Sequence, residues 1–298
     1  MHKARRELGE RLRQIDLVIE ILDARIPFSS ENPMLAELRA EKPCLKILNK
    51  SDLADPVETE RWCRHIADQQ GDFPLALCAK QADARDYIIN ACRARFPDKA
   101  DSVRGIQTLV VGIPNAGKST LINLLAGRAI AKTGNEAAVT RRQQRIDLGN
   151  GVVLFDSPGV LWPNLENRAS GYRLAVTAAM RDTVVDYEDV ALFLIETLEH
   201  RYPGLLREHY QLAPLTSGDT DLWLEAIARA RGCVGRGNSV DWQRAGTLLV
   251  NDFRAGTLGA LSLESPEDRQ RELAELEQLR QQKAEKKAAR KARKKSPR

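Results

Sequence analysis

Long apolar runs are missing from this chain of 298 residues. No segment approaches the roughly 20 apolar residues of a membrane-spanning helix. The start does not resemble a signal peptide. It is basic (Lys3, Arg5, Arg6), but Glu7 and Glu10 follow at once, which argues against a transit peptide. The expectation is a cytoplasmic protein without a membrane partner. Cysteine is sparse. Cys44, Cys63, Cys78, Cys92 and Cys233 are odd in number and lack paired spacing, so they read as reduced core thiols rather than a disulfide framework or a zinc site. The four histidines form no metal-binding pattern either. An excess of one charge is also missing over most of the length. The net charge is +5, yet from Leu279 to Arg298 ten Lys or Arg stand against one acid, Glu285, leaving 36 basic and 40 acidic residues elsewhere. Basic character is therefore a property of the tail. That tail has no interleaved aromatic residue on which a base could stack. It reads as an electrostatic tether to RNA phosphates or as a solvated helix end.

What the chain does have is centred on Thr108-Leu109-Val110-Val111-Gly112-Ile113-Pro114-Asn115-Ala116-Gly117-Lys118-Ser119-Thr120. A glycine, four free positions and Gly-Lys-Ser form a phosphate-binding loop when a strand precedes them and a helix follows. Leu109 to Val111 is an apolar, β-branched strand signal, Leu121, Leu124 and Leu125 share one helical face, and Gly127 is a helix stop. Asn115, Ala116, Gly117, Lys118, Ser119 and Thr120 would then surround the phosphates. Backbone N–H groups and the helix dipole converge there, Lys118 reaches the β- and γ-phosphates, and the Ser119 hydroxyl ligates Mg²⁺.

Leu45-Lys46-Ile47-Leu48 is a second strand signal, ending in Asn49-Lys50-Ser51-Asp52. Guanine presents two adjacent donors, N1–H and N2–H₂, which one carboxylate can accept together. Asp52 takes that role in this reading, Asn49 bonds the base and holds neighbouring loops, and the Lys50 stem lies along the ring. Adenine would leave Asp52 unpaired. After a third strand signal (74–78), Ala79 and Lys80 stand where a small-residue loop could back the guanine ring, or where a strand merely ends. Past the phosphate loop, a polar stretch leads to Thr140, a candidate second Mg²⁺ ligand that senses the γ-phosphate, or an ordinary loop threonine. A hairpin at Gly149-Asn150-Gly151 introduces the strand Val152 to Phe155, closed by Asp156-Ser157-Pro158-Gly159. Asp156 can hold Mg²⁺ through water, and Gly159 can bring its N–H to the γ-phosphate. Lys118, Thr140 and Gly159 are the candidate catalytic positions.

The order of these motifs is permuted: the guanine motif comes before the phosphate loop, whereas most GTPases have it after. An α/β sheet can be cut and rejoined elsewhere without losing its core. The predicted architecture is a GTPase domain with a mainly parallel sheet over 1–164, a smaller helical domain over 165–265, and a charged, disordered basic tail over 266–298. Helices are expected near 3–14, 57–70, 86–96, 174–179, 190–198, 222–230 and 242–253.

With these residues in view, the sequence resembles the circularly permuted GTPases of the YlqF type, the ribosome biogenesis GTPase A family. Lys3-Ala4-Arg5-Arg6-Glu7, Asp23-Ala24-Arg25-Ile26-Pro27, Ser29-Ser30-Glu31-Asn32-Pro33, Gly159-Val160-Leu161-Trp162-Pro163, Arg173-Leu174-Ala175-Val176-Thr177 and Arg231-Gly232-Cys233 carry the likeness, which spans about 3 to 266. The resemblance implies a GTPase that binds GTP or GDP with Mg²⁺ and helps late assembly of the large ribosomal subunit precursor, its helical domain on rRNA; a monomer is expected. Separately, Asn115 resembles the phosphate-loop position that helps hold a monovalent cation in potassium-activated GTPases, so K⁺ is a candidate second cation there. Two features depart from the family. Ala137-Ala138 stand where Pro-Gly often precedes the switch threonine, and the sequence begins at the methionine of the family's Pro-Gly-His-Met stretch. Val160 follows Gly159 where Ras-like enzymes have a glutamine, and its apolar side chain cannot orient water. In the family the water-positioning group is a histidine in a Pro-Gly-His-Met stretch ahead of the Lys-Ala-Arg-Arg segment. The expectation is that this histidine lies upstream of Met1, that His2 sits two positions late unless it substitutes, and that the chain as written binds GTP normally but hydrolyses it slowly, with or without subunits. The readings in competition are a nucleotide-gated RNA-binding protein with negligible hydrolysis, and a P-loop small-molecule kinase that would leave Asn49 to Asp52 unexplained.

Overall fold

The computed structural model describes residues 2–79, 81, 83–128, 145–156, 167–180, 185–214 and 219–295; for 2–5, 7 and 288–295 the backbone alone is described. Lys80, Thr140, Gly159, Val160, the Ala137-Ala138 pair and the 164/165 boundary lie outside the described residues, as does the His2 side chain.

The strands are β1 (Leu17–Asp23), β2 (Cys44–Asn49), β3 (Asp72–Leu77), β4 (Ile106–Gly112), β5 (Arg145–Asp147) and β6 (Val152–Asp156). They form one sheet in the order β3-β2-β1-β4-β6-β5. All neighbours are parallel except β5, which returns antiparallel to β6 through the Gly149-Asn150-Gly151 turn. β1 lies at the centre and is buried along its whole length. Strands covered on both faces read as near-continuous apolar runs, as Leu109 to Val111 of β4 does; in β1 the run is broken by the buried Glu20. Val18, Cys44, Leu109 and Val111 face one side with Leu12, Ile15 and Leu35, beneath α1 (His2–Leu12) and α3 (Pro33–Arg39). Leu17, Ile19, Ile21, Leu45 and Val110 face the other. There they meet Ile88 and Cys92 of α5 (Ala84–Arg95) and Leu121 and Leu125 of α7 (Lys118–Ala126).

The chain steps from β1 to β2 to β3 on one side, then crosses back so that β4 lies on β1's other edge. In a parallel α/β sheet such a reversal opens a crevice at the carboxyl ends of the strands, where ligands bind. Asp23, Asn49, Gly112 and Asp156 all end strands on that edge.

Three short helices that begin at proline, α2 (Pro27–Ser30), α3 and α6 (Pro97–Ala100), were not legible as periodic patterns, being too short to show a face. α4 (Pro56–Ala67) and α5 lie where the periodicity places them. The second part is helical: α8 (Arg168–Val176), α9 (Tyr187–Arg201), α10 (Leu205–Tyr210), α11 (Thr220–Ala230) and α12 (Trp242–Ala255). Val190, Leu194 and Leu198 of α9 pack with Leu224 and Ile227 of α11 and Leu249 and Phe253 of α12, in a core continuous with that of the sheet. Gly246 permits this approach: a Cβ there would lie 2.4 Å from the Tyr187 carbonyl oxygen.

The tail corrects an expectation. Residues 266–295 run as a helix, α13 (Pro266–Lys295), and its first turns dock on the body rather than forming a disordered tail. Leu276 is buried, and Glu272 accepts an ion pair from Arg173 Nη2 at 2.6 Å. Arg173 also meets the fully buried Glu264 at 3.1 Å. The signal missed was a polar one: charged residues looked solvated because their partners lie a hundred residues away. No helix among the described residues is long and apolar enough to cross a membrane.

Candidate nucleotide site

The phosphate loop leaves β4 at Gly112 and enters α7 at Lys118. Gly117, the N-cap of α7, sits at φ +95 and caps the helix with no side chain. Gly117 thus brings no side-chain cap to the first turn of α7, which suits an anion-binding helix terminus. A Cβ on Gly117 would lie 2.1 Å from Asn49 Nδ2, so glycine is needed there for close approach as well as for backbone angle.

Asn49 connects three loops. Its Nδ2 donates to the Ala116 carbonyl at 2.7 Å, and its Oδ1 accepts from Ala79 N at 3.1 Å. The guanine motif, the small-residue loop and the phosphate loop, far apart in sequence, are thus tied at one amide. Lys50 follows at φ +61, and Ser51–Leu53 form a 3₁₀ turn that leaves Asp52 exposed to a ligand.

Sequence reasoning did not find what holds Lys50. Asp23, ending β1, accepts Lys50 Nζ at 2.8 Å and is clasped by Arg25 through Nε (2.9 Å) and Nη2 (2.8 Å). Burial alone would raise the Asp23 pKa, but Arg25 and Lys50 hold it well below the usual carboxylate range. Asp23-Ala24-Arg25 stood out in the sequence only by resemblance, because its partner lies one strand over. Arg25 also reaches the helical part: it lies 5.2 Å from the centre of the Phe253 ring, and its carbonyl accepts from Leu263 N.

On the other side of β4, Lys118 and Asp156 are both buried, and Lys118 Nζ donates to Asp156 Oδ1 at 2.7 Å. The lysine expected on phosphates and the carboxylate expected on Mg²⁺ satisfy each other. Ligand binding would exchange this buried pair for a phosphate on Lys118 and a cation on Asp156. Asn115, at φ +59, donates its side-chain amide to the Ala178 carbonyl beyond α8. The structure thus brings together Asn49, Lys50, Asp52, Ala79, the loop from Asn115 to Thr120 and Asp156 along one edge of the sheet.

Comparisons with known proteins agree with this geometry. Residues 107–218 match the family described as 50S ribosome-binding GTPase. Ribosome biogenesis GTPase A of Bacillus cereus is 40% identical over 275 residues, covering 90% of this chain and 92% of that protein. The Bacillus pumilus relative of the same name is 40% identical over 274 residues, 90% of this chain and 96% of that one. Mitochondrial ribosome-associated GTPase 1 of Mus musculus is 32% identical over 290 residues, 89% and 88% of the two chains. A GDP-bound structure of TM YlqF superposes with a TM-score of 0.67 at 25% identity, covering 88% of this chain and all of that one. GNP-bound YlqF from T. maritima gives 0.63 at 26%, over 89% and 99%. With a permuted nucleotide site on a mostly parallel sheet, and with this identity over nine-tenths of its length, the chain belongs to the ribosome biogenesis GTPase A family.

Proposed function

We propose that this GTPase acts in assembly of the large ribosomal subunit, its nucleotide state setting its affinity for the immature particle and its rRNA. The observation that carries this reading is the direct wiring of the nucleotide site to the helical part: Asn115 bonds Ala178, and Arg25 bonds both Asp23 and the 263 backbone. A partner seated on the helices would therefore feel the nucleotide site.

In this reading Asp52 accepts guanine's two donors, Lys50 is held by Asp23 so that its stem lines the ring, and Asn49 keeps the loops in register. The α7 amides and Lys118 hold the phosphates, with Gly159 and Thr140 as the γ-phosphate contacts. The donor set fits Mg²⁺: Ser119 and Asp156 offer hard oxygen ligands, and Asp156 already stabilises one positive charge at Lys118. Mg²⁺ there would neutralise charge developing on the phosphates. Asn115 commits its amide nitrogen to Ala178, which leaves its carbonyl oxygen as the donor for K⁺. The basic end of α13 supplies a salt-sensitive tether to rRNA.

The test is affinity for a non-hydrolysable GTP analogue with and without immature large subunits. Tighter binding in the particle's presence is expected. Equal affinity in its presence and absence would overturn the assignment.

A further inference from the structure

The last turn of α8 stands between two donors from different parts of the chain. From the nucleotide side, Asn115 donates to the Ala178 carbonyl. From the other side, Arg254 of α12 donates Nε to the Val176 carbonyl at 2.8 Å and Nη2 to the Ala175 carbonyl at 2.8 Å. Arg254 is itself held at Tyr187, whose ring centre lies 5.6 Å away and whose hydroxyl is 3.2 Å from Nη1. The end of a helix leaves carbonyls short of partners and favours a cation, so this guanidinium answers both needs. The residues joined by the Asn115–Ala178 bond are both left-handed, at φ +59 and +61. Neither is glycine, so each conformation depends on the contacts around it.

We infer that Arg254 is a positioning residue for the phosphate loop: by gripping the carbonyls of 175 and 176 it holds the Ala178 carbonyl where Asn115 can donate to it. The helical part thereby sets the phosphate-loop geometry through a path separate from the segment after Asp156. The inference rests on the reading of Asn115 as a nucleotide-site residue. Coupling of this kind is reciprocal. Nucleotide that fixes Asn115 must tighten the α8 turn on α12, and a partner that shifts α12 must loosen the nucleotide.

The experiment is a double-mutant cycle on GTP affinity in the full chain, with Arg254→Met, Asn115→Ala and the pair. Each single change should weaken binding about three- to tenfold, the scale of one hydrogen bond. The pair should be no weaker than the worse single change, because both break one path. Arg254→Lys, which can still donate to one carbonyl, should recover part of the affinity at a melting temperature like that of Arg254→Met. Additive losses, or a lysine variant no better than methionine, would overturn the relay while leaving Asn115 in the site. A silent Asn115→Ala would overturn both. If Arg254→Met does not fold, hydrogen exchange on the wild-type chain decides. Residues 174–180 must exchange more slowly with GTP bound, and unchanged exchange would overturn the inference.

Discussion

Asn49 uses both ends of its side-chain amide within the protein, one on the phosphate loop and one on Ala79. In the proposed function base selection falls to its neighbour Asp52, which is exposed and carries none of these ties. Asp52→Ala should therefore lose about 1.5–3 kcal/mol of GTP binding, roughly ten- to hundredfold in affinity, with an unchanged melting temperature. Titration with a fluorescent GTP analogue measures this, and wild-type affinity would remove Asp52 from the site. Glu20, in the centre of β1, behaves differently. Burial pushes its pKa up to about 7, against the opposing charge of Lys46, its register partner on β2. With a folded pKa above the unfolded value, its contribution is fully present below about pH 4.5 and is lost as pH rises through 7. Glu20→Gln should raise stability at pH 8 by about 1–3 kcal/mol and change little at pH 4. Urea melts at the two pH values distinguish this from a uniform effect. Lys118, Asp52 and Asp156 were legible in the sequence because their chemistry has a fixed spacing from a strand end. Asp23, Arg25 and Arg254 were not, because their partners become neighbours only when the sheet and helices assemble.

The strands were readable at the scale of elements. β2, β4 and β6 are largely buried, which favours apolar runs such as Leu109 to Val111 and Val152 to Leu154, interrupted in β2 by the buried Lys46. The proline-initiated helices were not, since four to seven residues cannot establish a periodicity. α13 is the instructive element: it docks through Arg173, which meets Glu264 and Glu272 with all three side chains nearly inaccessible. Removing one member of a buried ionic group leaves uncompensated charge. Arg173→Met should destabilise the chain by about 3–5 kcal/mol. The added change Glu264→Gln should recover part of that loss. Thermal melts of the two variants check it, and a single variant as stable as wild type would show that this contact does not seat the helix.

The whole molecule places its nucleotide crevice against its helical part. Gly117 and Asn49 tighten the loops, Lys118 and Asp156 wait on each other, and Asn115 and Arg25 carry contacts across to the helices. Permutation makes this arrangement economical, because the strand that ends at Asp156 is followed directly by the segment leading to α8. In the proposed function, nucleotide state sets affinity for the immature large subunit. Co-sedimentation of the full chain with immature large subunits, in a non-hydrolysable GTP analogue and in GDP at one fixed salt concentration, tests it most directly. The chain is expected to pellet with the particle in the analogue and to stay largely in the supernatant in GDP. Equal pelleting in the two nucleotides would contradict it.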